Sequence, residues 1–444
     1  MSEPAQQKPA AEPQPPRIIP RDRHPISRKD IDLEALKVMY RLRDAGFAAY
    51  LVGGGVRDLY LGKTPKDFDI STDARPGQIR KIFRNSRVIG KRFRLVQVFF
   101  PGNKIVEVST LRCLSEYDLD GPEEVLPPNN TFGTVAEDSR RRDLTINSLF
   151  YNIADFSVID HVGGVDDLEH GVIRIIGDPG RRIRRDPVRI MRAVRHAARI
   201  GFTIEPETWR AIEEHLDYLE QCPDSRIRDE LFKDLKSGAC AGWARLALEC
   251  GLFSVLFPFY TPDLLAEAQA ELLANLEVAD RFQVQGAGLP EHILLALLLL
   301  PWARRELNLE AAPEKGAAGA NFARETRASL DLLLQKLNIT RAQKEGIATL
   351  LVNLPVFLRQ GGKGAWPQWL TRKSYFPEGQ LLFEICREAA GGEPAKIPKK
   401  SLPPPVAEPR KGGKRRGGRR RSSRAPAMVS RSNGGIFGLR KHDH

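Results

Sequence analysis

A run of three glycines followed by two closely spaced acids is the most chemically informative pattern in the first part of the chain. Gly53–Gly55 follow a short apolar run and open a helical pattern, so backbone amides at the start of the helix can approach a triphosphate closely. Asp67 and Asp69 alternate on a predicted strand, so their side chains share one face. Two carboxylates on one face suit a pair of Mg²⁺ ions. Each pattern alone is common in turns and at strand ends, but their order and spacing favour phosphate chemistry.

A second segment, Glu137–Ser148, concentrates three arginines in front of an acid. Charge runs of this kind are usually solvated. Here the apolar residues that follow Asp143, among them Leu144 and Ile146, would anchor the segment in a core and hold the arginines in place. Because a guanidinium can bind phosphate through two hydrogen bonds, the segment predicts a phosphate contact.

An acid and three arginines recur at three-residue spacing in the segment Arg185–Arg195. The members of this stripe are Asp186, Arg189, Arg192 and Arg195. On a helix, the acid and the first two arginines fit within one face of about 120°, with the last arginine at its edge. Such a stripe can hydrogen-bond the edge of a base and hold its phosphates. An ordinary helix start explains part of the pattern as well, because Asp186 is a suitable N-cap and Pro187 suits the first helical position.

Together, the three segments resemble the nucleotidyltransferase superfamily of DNA polymerase β, and within it the class II group of tRNA CCA-adding enzymes and bacterial poly(A) polymerases. The resemblance covers residues 30–260. It implies that Asp67 and Asp69 are catalytic acids that bind Mg²⁺ in a two-metal mechanism, with ATP as substrate. It also implies nucleotide contacts or support of the nucleotide site for seven further residues, which are Gly54, Arg57, Arg142, Asp186, Arg189, Arg192 and Arg195.

The resemblance further implies a third active-site carboxylate, for which the chain offers two candidates. Asp143 directly follows the three arginines and is favoured, while Glu107 in the strand-like run Ile105–Val108 is its rival. Two departures from the family pattern bear on the site. Leu144 stands where the family has an aromatic residue, which should be conservative. Arg185 stands where the family usually has Glu, which leaves the fine control of base choice open.

Short apolar runs typical of strands alternate with helical patches in the first part of the chain. The predicted strands are Ala48–Val52, Phe68–Ile70, Arg94–Phe100 and Lys104–Val108, and the helical patches between them are Val56–Leu61 and Gly77–Phe83. Beyond Asp160, helical patterns dominate. The predicted fold class is therefore α+β: an N-terminal nucleotidyltransferase head with a mixed β-sheet, followed by all-α neck and body domains and a disordered basic tail.

The predicted domain boundaries follow changes in composition and pattern. They are a disordered segment at 1–28, the catalytic head at 29–160, a helical neck with the nucleotide-selecting stripe at 161–225, a helical RNA-binding body at 226–390, and a disordered Arg/Lys-rich tail at 391–444. Residues 115–135 are predicted to form a mobile loop, and residues 304–322 a flexible insert.

The positive charge of the chain is concentrated at its C-terminal end. The formal net charge is +13, and residues 399–444 alone contain 14 basic and two acidic residues, so the rest of the chain is nearly neutral. Such a tail predicts a polyanionic partner and would hold RNA through phosphate contacts without reading its sequence. No membrane span is expected, because the longest strongly apolar run, Ile293–Leu300, is far shorter than the ~20 residues that a bilayer requires. No signal peptide is expected either, because residues 1–28 are rich in Pro, Gln and charge and have no apolar core. Five scattered cysteines predict a reduced, cytoplasmic protein.

Two activities within the resembling group have to be separated. Val88–Val98 resembles a segment that distinguishes bacterial poly(A) polymerases from CCA-adding enzymes, and residues 228–257 and the Arg-rich tail are further matches. We therefore predict a template-independent poly(A) polymerase that adds AMP from ATP to RNA 3′ ends and promotes RNA turnover, with RNA-decay proteins as candidate partners. A tRNA CCA-adding enzyme is the alternative. A non-catalytic RNA-binding protein is disfavoured, because every acid assigned to catalysis is present.

Overall fold

The computed structural model describes residues 15–90, 94–113, 132–313, 316–361 and 364–397. Five predicted features lie wholly or partly outside these ranges: residues 1–14 of the predicted disordered segment, Lys91–Phe93 of the segment Val88–Val98, residues 115–131 of the predicted loop, residues 314–315 of the predicted insert, and the basic tail from residue 398. Within the described ranges, none of the helices combines the length and the apolar composition that a bilayer crossing requires. All five cysteines lie in these ranges and are free thiols.

An eight-stranded mixed sheet forms the head. Its strands are β1 (Arg17–Ile19), β2 (Ala49–Val52), β3 (Asp69–Thr72), β4 (Ser86–Ile89), β5 (Leu95–Phe100), β6 (Lys104–Thr110), β7 (Leu149–Asn152) and β8 (Val158–Asp160). The spatial order is β1-β8-β7-β2-β3-β6-β5-β4, in which β3 and β6 run parallel and the other neighbours run antiparallel. The prediction of an α+β head with a mixed sheet is therefore confirmed, and all four predicted strands occur with shifted ends.

Helices pack against the sheet and set the positions of the strand ends. The head helices are α1 (Leu33–Asp44), α2 (Gly54–Tyr60), α3 (Pro76–Ile82) and α4 (Val135–Arg141). The Asp32 carboxylate caps α1 by accepting hydrogen bonds from two amides of its first turn, and α1 buries Val38, Met39 and Leu42 against the core. A capping box between Thr134 and Glu137 starts α4. Arg140 and Arg141 lie in the last turn of this helix, and Arg142 is its C-cap.

Residues 15–28, the described part of the segment predicted to be disordered, are ordered. Residues 17–19 form β1, which pairs antiparallel with β8 at the edge of the sheet. Farther along, Ile26 is almost completely buried, and His24 is buried with its Nε2 atom 2.8 Å from the carbonyl oxygen of Phe156. The prediction rested on the low hydrophobic content of the segment. A few buried apolar side chains and one strand pairing are nevertheless enough to hold residues 17–26 against the head.

Helices make up most of the neck and body. They are α5 (Gly164–His170), α6 (Pro179–Arg185), α7 (Val188–Ile200), α8 (Pro206–Glu214), α9 (Asp224–Leu235), α10 (Cys240–Glu249), α11 (Leu252–Leu256), α12 (Pro262–Val284), α13 (Glu291–Glu306), α14 (Gly316–Leu333), α15 (Arg341–Gln360), α16 (Gln368–Thr371) and α17 (Phe376–Ala389). A small parallel pair of strands, β9 (Val172–Ile173) and β10 (Thr203–Ile204), interrupts the predicted all-α neck. Helix α7 packs against α9 and α10, and this contact brings body side chains to the stripe of arginines.

The segment predicted as an insert at 304–322 contains more structure than its composition indicated. Helix α13 continues through Pro301 to Glu306, a short 3₁₀ turn follows at Leu309–Ala311, and α14 starts at Gly316. The apolar run Ile293–Leu300 is buried on every side within α13, because α12 and α15 pack against that helix. A helix that is apolar all round is a core helix of the body.

Candidate active site

A cleft of about 600 Å³ brings the three sequence motifs together. It lies between the glycine turn before α2, the start of β3, the end of α4 and one face of α7. The predicted site residues that line it are Gly54, Arg57, Asp69, Arg142, Asp143, Asp186, Arg189 and Arg192. Of the ten predicted residues, Asp67 and Arg195 lie outside this lining: Asp67 borders a neighbouring cleft, and Arg195 is buried beneath the stripe.

The glycine turn allows the backbone to approach the charged side chains of the cleft. Gly53 has a φ of 71°, and a side chain there would lie 3.7 Å from Nη1 of Arg142 and 3.9 Å from Oδ2 of Asp69. A Cβ atom at Gly54 would lie 3.3 Å from Nη2 of Arg57. The absence of side chains at Gly53 and Gly54 therefore lets the backbone lie against the two guanidinium groups and the carboxylate at this end of the cleft.

The two acids of the Asp-x-Asp pattern lie at the beginning of β3. Asp69 is the first residue of the strand, opposite Val52 of β2, and Asp67 lies in the connection just before it. In the parallel pair β3–β6, Ile70 is opposite Val108. Asp69 and Glu107 each precede these partners by one residue. They are therefore neighbours on the same face of the sheet.

The electrostatic environment of Asp69 disfavours an isolated negative charge. Its side chain faces the open cleft, yet the surrounding protein atoms withdraw it from water, and Glu107 and Asp67 add negative charge nearby. These effects raise the pKa of Asp69 to about 6, although Arg142 opposes them. A divalent cation would relieve this crowding of carboxylates.

The donor set fits Mg²⁺ better than a closed structural metal site. In the part of the chain that the structure describes, no group of three or more His, Cys, Asp or Glu side chains is arranged to enclose a metal ion. Mg²⁺ is commonly held by one or two carboxylates and takes its remaining oxygens from water and substrate phosphates. Asp67 and Asp69 beside an arginine-lined cleft match that pattern.

Arg57 is fixed in place beneath the glycine turn. Its guanidinium is 1% exposed and donates hydrogen bonds to Oδ1 of Asp58, at 2.9 and 2.7 Å, and to Oδ1 of Asn147, at 2.7 Å. Burial lowers the pKa of Arg57, although the charge of Asp58 counteracts this. The side chain therefore has little rotational freedom, and its remaining edge lies under Gly54.

Arg142 is held from two sides at the opposite wall of the cleft. Its Nη2 atom donates to Oδ2 of Asp138 at 2.9 Å, one turn earlier on α4. Its guanidinium also lies 4.9 Å from the centre of the Phe150 ring, in a cation–π contact. The prediction that apolar anchoring holds the arginines in place accordingly has a specific structural basis at Arg142.

Asp143 joins the second motif to the stripe on α7. Arg189 Nε donates to its Oδ1 at 2.8 Å, and Arg192 Nη1 donates to its Oδ2. Burial favours the protonated form, but the two guanidinium groups outweigh burial and hold the pKa of Asp143 well below its usual range. Both carboxylate oxygens are thus engaged by arginines.

A second row of acids, which sequence reasoning missed, supports the stripe from helix α9. Glu230 accepts from Arg192 at 3.2 Å and forms an ion pair with Arg195 at 2.7 Å. Asp234 accepts from Nη1 of Arg195 at 2.7 Å. Glu230 and Asp234 are four residues apart on one helical face, which was a readable signal, but nothing in the sequence indicated that α9 packs on α7.

Asp186 has a different partner from the one that a helix start would provide. Helix α7 has Pro187 at its N-cap and no capping side-chain hydrogen bond, so the N-cap interpretation of Asp186 is wrong. Instead, Oδ1 of Asp186 forms an ion pair at 2.8 Å with Nη2 of Arg226 on α9. Asp186 and Arg226 both line the cleft, and Arg226 was not anticipated.

His196 is a further cleft residue that the sequence did not single out. Its Nδ1 lies 3.2 Å from Nη1 of Arg57, and its Nε2 lies 3.3 Å from Nδ2 of Asn147. Burial and then the positive charge of Arg57 and Arg195 keep the pKa of His196 well below its usual value. A neutral imidazole on α7 therefore contacts the head at the base of the cleft.

Replacement of Glu230 should reveal the contribution of the second row of acids to stability. Burial raises the pKa of Glu230, but Arg192 and Arg195 outweigh it and lower the pKa to about 2. Because the folded pKa is below the unfolded one, this stabilisation is complete above the unfolded pKa of ~4.3 and is lost as the pH falls toward 2. We expect Glu230→Gln to lower the free energy of unfolding by about 3 kcal/mol at pH 7 and the deficit to shrink below pH 4.

Urea unfolding followed by circular dichroism between pH 3 and 7 measures this effect. Glu277→Gln is a matched control, because Glu277 pairs with Arg245 on the exposed surface and such pairs contribute ~0–1 kcal/mol. A Glu230→Gln deficit as small as that of Glu277→Gln, or one that does not change with pH, would contradict the interpretation.

Comparison with known proteins relates these features to a family. Residues 49–174 match the family model described as a poly A polymerase head domain, and residues 201–264 match the one described as a probable RNA and SrmB-binding site of polymerase A. Poly(A) polymerase I of Haemophilus influenzae is 33% identical over 393 residues, which cover 84% of this chain and 84% of that protein. Poly(A) polymerase I of Escherichia coli O6:H1 is 51% identical over 251 residues, which cover 55% of this chain and 54% of that protein. In this second comparison, the chain spans about half the length of the curated relative.

Solved structures show the same architecture. A CCA-adding enzyme of Bacillus stearothermophilus in complex with CTP superposes with a TM-score of 0.61 and 25% sequence identity, over 81% of this chain and 78% of that chain. The fold is thus shared with a CCA-adding enzyme, whereas the two sequence relatives above are named poly(A) polymerase I.

Proposed function

Because the chain belongs to the class II nucleotidyltransferase family, which includes bacterial poly(A) polymerases and CCA-adding enzymes, we propose that it is a template-independent poly(A) polymerase. It would add AMP from ATP to RNA 3′ ends and release pyrophosphate. The observation that carries the proposal is the similarity to a poly(A) polymerase I over 84% of both chains. The cleft supports it, because carboxylates and fixed arginines meet there at one end of the head sheet.

The proposed reaction forms one bond and breaks another at the α-phosphorus of ATP. The 3′ oxygen of RNA attacks this phosphorus, the bond to the pyrophosphate oxygen breaks, and the hydroxyl proton is lost to solvent or a nearby base. Asp67 and Asp69 would hold Mg²⁺, with Glu107 as the adjacent third carboxylate. When bound, Mg²⁺ stabilises charge on the transferring phosphoryl oxygens and favours deprotonation of the attacking hydroxyl.

Fixed arginines would bind the triphosphate. Arg57 lies buried beneath Gly54, which carries no side chain, and Asp58 and Asn147 hold its guanidinium in one orientation. Arg142 faces the same space from α4. Because these groups are oriented before the nucleotide arrives, little side-chain entropy is lost on binding.

We assign the reading of the base to the end of the cleft where the head meets α7. Asp186 can accept a hydrogen bond from a base edge, and Arg189 can donate one. Arg192 and Arg195 would support these two residues from the same helix. Asp143 would serve chiefly to orient Arg189 and Arg192, because both of its oxygens are already engaged.

The choice between poly(A) synthesis and CCA addition can be tested directly. We expect the full chain to add long A tracts to a generic RNA with ATP and Mg²⁺ and to incorporate CTP poorly. Incubation with ATP alone, CTP alone and both, on a generic RNA and on a tRNA lacking its CCA end, measures this. Addition of two C residues and one A, confined to the tRNA, would instead establish the CCA-adding alternative. That alternative is retained because the fold resembles that of a CTP-bound CCA-adding enzyme. Absence of ATP-dependent pyrophosphate release would favour a non-catalytic RNA-binding protein.

A further inference from the structure

A second cleft, of about 670 Å³, adjoins the nucleotide cleft at the carboxylates. Asp69 and Glu107 line both clefts, whereas Asp67 lines only the second. The arginines suited to a triphosphate, including Arg57 and Arg142, line only the first. The carboxylates therefore lie between the first cleft, whose arginines suit a triphosphate, and the second cleft, which lacks those arginines.

The chemistry of phosphoryl transfer gives this division a direction. The attacking and leaving oxygens lie roughly in line on opposite sides of the phosphorus. If pyrophosphate departs toward the arginines of the first cleft, the attacking hydroxyl has to approach the phosphorus from the side that faces away from those arginines. The second cleft shares the carboxylates and has neither Arg57 nor Arg142 in its lining, so we take it as the side of approach, and this reasoning rests on the proposed function.

The wall of the second cleft carries an exposed apolar surface next to the acids. Ile105 lines the cleft and is 45% exposed. It lies two residues before Glu107 on β6, so the two side chains share the open face of the sheet. Phe99, its half-buried cross-strand partner on β5, lies on the same face. Phe99 and Ile105 are termed the apolar step.

Polar groups connect the apolar step to the carboxylates. Gln97 is opposite Glu107 and donates a hydrogen bond to it at 2.9 Å, which fixes the acid at the edge of the step. Lys66 is exposed in the same cleft, directly before Asp67 in the chain. Nucleic-acid sites that tolerate any sequence combine stacking surfaces with cationic contacts to phosphate.

We propose that the apolar step binds the 3′-terminal nucleotide of the RNA primer. The terminal base and ribose lie against Ile105 and Phe99, and Lys66 contacts the phosphate on the 5′ side of that nucleotide. The terminal 3′-hydroxyl then points toward Asp69 and Glu107. Recognition by apolar contact accommodates any terminal base, which an enzyme that extends unrelated RNAs requires.

Substitution of Ile105 tests the apolar step without disturbing the core. We expect Ile105→Ser to raise the KM for RNA roughly tenfold, because the terminal nucleotide loses an apolar contact, and to leave the KM for ATP within twofold. Ile105→Val should restore most of the affinity. Ile18→Ser is the matched control, because Ile18 is 59% exposed on β1 at the opposite edge of the same sheet. Equal RNA KM values for Ile105→Ser and Ile18→Ser would overturn the proposal.

Photocrosslinking gives an independent readout. A generic RNA with a 3′-terminal 4-thiouridine should crosslink to residues 94–110 of the wild-type chain, and Ile105→Ser should weaken that crosslink. A crosslink confined to another part of the chain would refute the apolar step as the primer site. If the wild type fails to extend RNA with any nucleotide, the proposed function fails, while the crosslink still decides whether an RNA end binds here.

Discussion

Asp69→Asn is expected to lower the rate of AMP incorporation at saturating ATP and RNA by roughly 10³-fold, equivalent to ~4 kcal/mol of transition-state stabilisation. The substitution keeps the shape of the side chain and removes its charge. Asp69 lines both the arginine-lined cleft and the second cleft, with Glu107 beside it, so its carboxylate is the one best placed to hold a cation against the α-phosphate. Because Asp69 lies at the solvent-facing end of β3, the fold should be preserved.

Pyrophosphate release and RNA binding, measured on the same preparation, separate catalysis from affinity. RNA affinity should stay within twofold of the wild type, because the substitution removes no positive charge. Asp73→Asn is a matched control just beyond the other end of β3. Asp73 accepts a hydrogen bond from the Ala48 amide, which Asn can also accept. Normal activity in Asp69→Asn, or equal loss in Asp73→Asn, would refute the assignment of Asp69 as a metal-binding acid.

Much of the head could be predicted because its candidate site residues lie in segments whose secondary structure is also indicated by the local sequence pattern. The glycine turn, the strand start at Asp69 and the strand at Lys104–Thr110 all carry local signals of period two or of turn geometry. The strand Arg17–Ile19 carries no such signal, since three residues acquire their conformation only by pairing with β8. Strand order likewise depends on contacts between distant parts of the chain, so the parallel β3–β6 pair that joins Asp69 to Glu107 was beyond sequence reasoning.

Within the site, sequence reasoning found the charged residues but not their partners. Asp186, Arg189 and Arg192 were recognised as a stripe on one helix, and Asp186 was given an equally good role as a cap. Packing of α9 on α7 gives Asp186 an ion-pair partner, Arg226, that neither interpretation included. The same packing brings Glu230 to Arg192. Helix-to-helix contacts of this kind leave no spacing pattern in a single sequence. A buried arginine needs an acidic partner, so the stripe implies that such acids exist but not where they lie in the chain.

The identity of the third active-site carboxylate is the second question on which we expect a large effect. Glu107→Gln should lower the turnover number by roughly 10²-fold while leaving stability unchanged. Its side-chain oxygen can still accept the hydrogen bond from Gln97, so only the charge beside Asp69 is lost. The KM for ATP should change little, because Glu107 accepts its hydrogen bond from Gln97 and is not among the groups assigned to the triphosphate.

Asp143→Asn should instead affect stability and nucleotide binding. Both of its oxygens are engaged by Arg189 and Arg192, so loss of its charge leaves two guanidinium groups poorly compensated and should cost roughly 3 kcal/mol of stability. The KM for ATP should rise and discrimination against CTP should weaken, since the stripe loses its anchor, while the dependence of the rate on Mg²⁺ concentration should be retained.

Thermal unfolding, ATP and CTP kinetics, and Mg²⁺ titration of the rate distinguish the two profiles. In Glu107→Gln the Mg²⁺ concentration for half-maximal rate should increase, because one carboxylate near the metal-binding pair is gone. If Asp143→Asn were stable but required more Mg²⁺, while Glu107→Gln retained normal turnover, the third carboxylate would be Asp143, and its ion pairs with Arg189 and Arg192 would have to open when nucleotide binds.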